Sequence, residues 1–173
     1  MTHLSKESNT LPYRANVGAA LFNRQGEILV ARRADLQTFE HYPWQLPQGG
    51  IDDGEDPRRA VIRELREEIG TDAVEIIGEI PEWLTYDFPD EVMQKLGNRH
   101  RGQRQRWFAL RFLGTDDLIR LDADPHPEFS EWRWVPLASI VALAVPFKHH
   151  IYQRVAEEFS RFTKPDGASS WAK

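Results

Sequence analysis

Four glutamates, three of them within five residues, crowd one short stretch, Gly49-Gly-Ile-Asp-Asp-Gly-Glu55-Asp-Pro-Arg-Arg-Ala-Val-Ile-Arg63-Glu64-Leu-Arg-Glu67-Glu68-Ile-Gly70. Asp56 is a good helix N-cap, Pro57 suits the first helical position, and Gly70 suits the C-terminal stop, so the spacing predicts a glycine-rich loop feeding a short helix. At about 100° per residue, Val61, Ile62, Leu65 and Ile69 form one apolar stripe, while Glu64, Glu67 and Glu68 gather on another flank. That flank is badly placed by ordinary helix rules. Glu64 and Glu68 are like charges at i,i+4, costing about 0.2–0.5 kcal/mol. Glu67 and Glu68 also meet the negative end of the helix dipole, at about 0.3–1 kcal/mol each. A bound cation reverses both penalties, and carboxylates combined with water and substrate phosphates suit Mg²⁺ or Mn²⁺. The plain alternative is a solvated acidic face on which Arg63 relieves Glu67.

The full spacing decides between them. Gly49, five residues, Glu55, seven residues, Arg63-Glu64-Leu65, one residue, Glu67-Glu68, one residue and Gly70 resembles the Nudix box of the Nudix hydrolases. The last place departs, with Thr71 where the family has an aliphatic residue that packs, so the departure bears on stability. From Pro12 to Phe162 the chain is similar to the branch of RNA pyrophosphohydrolases and diadenosine-polyphosphate hydrolases. The matching pieces include Tyr13–Gly18, Asn23–Gly26, Ala31–Arg33, Trp44–Gly50, Gly102–Phe108, Pro127–Phe129 and Phe147-Lys148. Pro146 departs from the hydroxylated or small residue usual before that Phe.

Around this stretch, the elements follow from pattern. Val17–Asn23 and Glu27–Arg33 read as a hairpin about Arg24-Gln25-Gly26. Val74–Ile80, Arg104–Leu113 and Trp132–Val135 read as strands, Leu137–Leu143 and Phe147–Phe162 as helices, and Asp90–Gln103 as an irregular surface excursion. Trp44, Trp107, Trp132 and Trp134 are expected in the core. The fold class is α/β, a mixed sheet flanked by helices, and the resemblance implies the Nudix α/β/α sandwich. With 173 residues, 40% of them hydrophobic, and no cysteine, one domain over 11–163 is expected, without disulfides, between loose tails at 1–10 and 164–173. Trp171 in the second tail has no readable role. No apolar run is long enough to span a membrane, so a cytoplasmic protein is expected, with a monomer as the default. A net charge of −5 argues against non-specific coating of nucleic acid but allows a local basic groove.

The resemblance implies that Glu64, Glu67 and Glu68, with the main-chain oxygen of Gly49, bind the metal ions, and that Glu55 and Arg63 form a structural ion pair. It makes Glu128, in the Pro127-Glu128-Phe129 match, a further metal ligand or proton acceptor. Which of Glu64 and Glu128 is the base stays open. Arg14, Arg33, Val145, Phe147 and Lys148 are the substrate-binding candidates. Phe147 is equally readable as a staple of the last helix, and His149 and His150 receive no catalytic role. The expected substrate is an RNA 5′ end, where pyrophosphate is removed, or alternatively an Ap4A-type dinucleotide. Arg14, Arg32, Arg33, Arg104, Arg106 and Lys148 are expected to concentrate positive charge near the carboxylates. A non-catalytic nucleotide-sensing domain is disfavoured because every charged box position is intact. A calcium site is disfavoured because no Asp-x-Asp-x-Asp-Gly loop occurs.

Overall fold

The sheet is built outward from β1 (Tyr13–Phe22), whose last seven residues are all buried. In this computed structural model, which describes residues 10–35 and 41–165, β1 runs parallel to a later strand, Gly102–Phe112, over its whole length, from Tyr13↔Gly102 to Phe22↔Arg111. Burial on both faces explains the nearly continuous apolar run. The hairpin about Arg24–Gly26 forms as expected, with β2 (Ile28–Arg33) meeting β1 at Phe22↔Ile28. The two strands then part. β2 turns to pair with β3 (Trp44–Gln45), while β4 (Gln48–Gly50) takes the vacated edge of β1 at Asn16–Gly18.

The helix α1 (Pro57–Ile69) begins on Asp56, whose carboxylate accepts from the Arg58 N–H, and ends at Gly70 in the left-handed conformation. β5 (Val74–Glu79) and β6 (Leu84–Asp87) both pair with the long strand introduced above. Asp90–Gln103, read from sequence as irregular, instead contains a helix, α2 (Asp90–Lys95), with Val92 and Met93 buried. The residues on either side of this excursion are tied together where the Phe88 N–H donates to the Arg101 carbonyl. The long strand is β7 (Gly102–Phe112), and β8 (Phe129–Val135) lines up against β2. A 3₁₀ turn leads into α3 (Ile140–Leu143), and Pro146 opens another before α4 (His149–Glu158). Pro146 therefore sits where a missing N–H costs nothing.

One apolar layer, with Phe22, Trp107, Ile151 and Val155, lies between the sheet and α4. The other, with Val17, Leu29, Phe108, Leu65 and Ile69, lies between the sheet and α1. The arrangement is the α/β/α sandwich expected from sequence. Of the four tryptophans assigned to the core, Trp107 is fully buried. Trp44, Trp132 and Trp134 only flank it, and the Arg133 guanidinium covers the Trp44 ring at 4.1 Å. Thr71 is buried and its hydroxyl accepts from the Ala73 N–H at 3.1 Å, so this polar residue is satisfied where an aliphatic one was expected. Residues 1–9 and 166–173, which hold nearly all of the two expected tails and Trp171, lie outside the described residues. No helix among the described residues is long and apolar enough to cross a membrane.

Gly70 has φ 74°, and a Cβ there would press on the Arg120 backbone. Gly70→Ala is expected to lower unfolding free energy by about 1–3 kcal/mol, from the left-handed conformation and the crowding together. Urea denaturation measures this, and a wild-type midpoint would refute it.

Candidate active site

Arg63 holds the loop to the helix. From the middle of α1 its Nε donates to Glu55 Oε2 and its Nη2 to Glu55 Oε1, both at 2.8 Å, a bidentate pair. Nη2 also donates to the Gly50 carbonyl at 2.8 Å, and Nη1 to Glu64 at 3.0 Å and Glu67 at 3.3 Å. The Glu55 carboxylate closes the loop in turn by accepting from the Asp52 N–H. Hydrogen bonds from Arg63 bring the Glu55 carboxyl down to about 2, from an ordinary 4.5, and Glu55 holds the Arg63 guanidinium firmly protonated.

Glu64 and Glu68 point from α1 toward β4. Burial pushes the Glu64 carboxyl up to about 7; Arg63 opposes this, and Glu67 and Glu128 add to it. Glu68 is 6% exposed, and burial, followed by the charges of Glu128 and Glu64, pushes its carboxyl well up. Glu68 Oε2 is buried with no hydrogen-bond partner. Gly49 lies against the Glu64 carboxyl so closely that a Cβ there would displace that carboxyl. Glu67 stands half exposed at the rim.

Beyond Gly49 and Gly50 opens a cleft of about 550 Å³. Arg14, Arg33 and Lys148 line it, and the Arg14 guanidinium rests against Gly50. Lys148 is buried at its base, over the Tyr86 ring at 5.2 Å, and burial with Arg33 nearby brings its amine down to about 7. Arg33 also lines a smaller hollow with Glu128, so it spans from the cleft to the carboxylates.

Glu64, Glu68 and Glu128 thus converge, with Gly49 beside them, and Arg14, Arg33 and Lys148 meet next door. Glu67 is drawn aside by Arg63, and among the described residues no three acidic, histidine or cysteine side chains stand close enough to hold a metal ion as they are. The remaining residues divide. Phe147 packs its ring on Tyr86 at 5.8 Å, and Val145 lines a separate crevice beside Tyr152. Arg104 and Arg106, expected near the carboxylates, stack on Trp83 instead, because they alternate with Gln103 and Gln105, which face the cleft side of β7. His149 and His150 are not simply solvated; each donates through Nε2 to a carbonyl, of Ala144 and Thr85. Sequence reasoning missed Gln48, Tyr86 and Gln103, which form the cleft floor, and Leu96, Arg99 and His100, its outer wall. Their one available signal was the period of β7, which sets Gln103 and Gln105 on the same face as the buried Trp107.

The sandwich is shared by solved structures of low identity. C. elegans Ap4A hydrolase superposes with a TM-score of 0.60 at 19% identity, covering 85% of this chain and 98% of that one. E. coli dihydroneopterin triphosphate pyrophosphohydrolase superposes with a TM-score of 0.65 at 16% identity, covering 85% and 99%. Such likeness establishes the fold. The NUDIX domain matches residues 12–155, and the chain belongs to that family and is a Nudix hydrolase. It is 71% identical over 161 residues to the RNA pyrophosphohydrolase of Acidiphilium cryptum, covering 93% of this chain and 98% of that one. Over 160 residues it is 53% identical to the RNA pyrophosphohydrolase of Gluconacetobacter diazotrophicus, covering 90% and 96%.

The Glu55 and Arg63 side chains are only 16% and 26% exposed. Arg63→Ala is therefore expected to cost about 3 kcal/mol or more, and a double-mutant cycle with Glu55→Ala to return a coupling of about 1–3 kcal/mol. Because the Glu55 carboxyl is depressed, its contribution is full above pH 4.5 and fades as pH falls toward 2. Glu55→Gln should flatten that acid limb in chemical denaturation, and strictly additive single mutants would show that the pair does not interact.

Proposed function

We propose that this hydrolase removes pyrophosphate from 5′-triphosphorylated RNA, using Mg²⁺ or Mn²⁺ held by Glu64, Glu67, Glu68, Glu128 and the Gly49 carbonyl. The observation that carries the reading is the junction at Gly49-Gly50, which sets a buried carboxylate cluster directly beside a cleft bearing Arg14, Arg33 and Lys148. The similarity to RNA pyrophosphohydrolases supports it. The donor set suits a hard divalent cation, since Glu68 has a buried oxygen with no partner and the charges of Glu128 and Glu64 help burial push its carboxyl up. When bound, the cation supplies charge neutralisation on the phosphoryl oxygens and makes water a better nucleophile.

The chain's own residues do the rest. Arg14 and Arg33 bind the phosphates, and Lys148, whose amine sits near neutrality when the cleft is empty of anions, gains its proton as phosphate charge arrives. Glu64 or Glu128 takes the proton of the attacking water. Arg63 holds Glu55 and the Gly50 carbonyl through bonds separate from those to Glu64 and Glu67, so the loop would stay fixed if those two carboxylates held a cation. We place the protein in the cytoplasm, as a monomer. An Ap4A-type dinucleotide is the second reading, favoured by Tyr86, Phe88 and Leu96 in the cleft, which offer apolar surface for a base.

Glu68→Gln removes the most buried member of the carboxylate cluster. The variant is expected to melt at or above the wild-type temperature in EDTA at pH 8, because a raised carboxyl favours the fold below pH 4.5 and disfavours it as pH rises. Its kcat in excess Mg²⁺ should fall by about a hundredfold or more. Retained turnover would remove Glu68 from the metal site.

The substrate is tested with a short 5′-triphosphorylated RNA and Ap4A at low and moderate salt. RNA cleavage should weaken more steeply with salt, and Arg33→Ala should raise KM for RNA about tenfold or more. Efficient Ap4A cleavage with no attack on RNA would leave the dinucleotide reading in place.

A further inference from the structure

Under the cleft lies a chain of buried amides. Trp107 Nε1, a donor with no acceptor capacity, gives its hydrogen to Gln105 Oε1 at 3.0 Å, and both residues are 0% exposed. The indole therefore fixes which end of the Gln105 amide is oxygen. Its Nε2 must then face the other way, where it donates to Gln48 Oε1 at 3.1 Å and to Gln103 Oε1 at 2.9 Å. Lys148 Nζ also donates to Gln48 Oε1, at 3.4 Å. The two outer glutamines thus turn their oxygens toward the core and keep their Nε2 groups for the cleft side. Tyr86 lines the same floor, with Lys148 Nζ over its ring at 5.2 Å.

We propose that Gln105, anchored by the Trp107 indole, sets the hydrogen-bond polarity of the cleft floor, so that Gln103 and Lys148 present donors and the floor takes phosphoryl oxygens. Gln105 is a positioning residue, since it touches no ligand itself. Each bond in the series orients the next and polarises it in the same sense, so one indole N–H specifies several groups. Without the anchor, Gln48 and Gln103 gain a second orientation that offers the cleft an acceptor, which repels an oxyanion. The Arg14 and Arg33 guanidinia carry only donors and agree with the floor in sign. The inference rests on the cleft being the seat of a nucleoside polyphosphate, and it adds which atoms of that ligand the floor reads.

The test removes the relay while keeping its volume. Gln105→Met should keep a cooperative melt, weaken calorimetric binding of inorganic tripolyphosphate in EDTA by about tenfold or more, and leave binding of guanosine within about twofold. In Mg²⁺ the same variant should raise KM for triphosphorylated RNA in parallel, with kcat within about twofold. If Gln105→Met does not fold, Gln103→Glu, which puts an acceptor on the floor directly, is expected to show the same losses. Wild-type tripolyphosphate affinity in a folded variant, selective loss of guanosine, or a wild-type protein that binds no tripolyphosphate would each overturn the inference. A wild-type protein that cleaves neither RNA nor Ap4A would bring down the substrate reading instead, and the tripolyphosphate titration in EDTA still reads the floor.

Discussion

The guanidinium of Arg63 is the point on which the site depends. Its five N–H groups are shared among Glu55, the Gly50 carbonyl, Glu64 and Glu67, so a single side chain fastens the loop to the helix and restrains two of its carboxylates. A lysine cannot replace it, because one ammonium cannot satisfy a bidentate carboxylate and a carbonyl along separate directions. The loop Ile51–Asp56 has little apolar surface with which to hold its own shape. Its geometry comes from Arg63 and from the turn that Glu55 closes on Asp52.

Fixing the loop also fixes the distance between two fields of opposite sign. The carboxylate cluster and the cationic cleft meet across Gly49-Gly50, where glycine lets Glu64 press from one side and Arg14 from the other. Either field alone is unfavourable: burial and like charge raise Glu64 and Glu68, while burial and Arg33 lower Lys148. A polyphosphate with a divalent cation would relieve both. An acidic chain with net charge −5 can therefore carry a strongly basic groove, because placement decides local potential.

The parts of this that sequence could show were those governed by local rules. Asp56, Pro57 and Gly70 bounded α1 because caps and φ preferences are local, whereas the Glu55–Arg63 clamp came from the resemblance and from no local rule. The excursion after Phe88 was misread because its helix is too short for a periodic signal, and its buried Val92 and Met93 gain their burial from tertiary contact. Arg104 and Arg106 were placed near the carboxylates because sequence neighbours of cleft residues look equivalent until the strand's alternation is applied. Trp44, Trp132 and Trp134 fell short of full burial for a related reason: strand propensity does not say whether a face is covered by a helix.

That alternation in β7 has a larger consequence. On one face the strand sends Gln103, Gln105 and Trp107 toward the cleft and the α4 layer; on the other it sends Arg106 and Phe108 toward α1. β7 is parallel to β1 in unbroken register, so Arg14 is carried on the same rigid ladder as Gln103. A one-residue slip would bury the arginines in the apolar layer and turn the amides out. The apolar residues farther along the two strands hold that register. The core thereby specifies the chemistry of the cleft: burial of Trp107 locks the ladder, and the locked ladder aims both the guanidinium and the amides at one place.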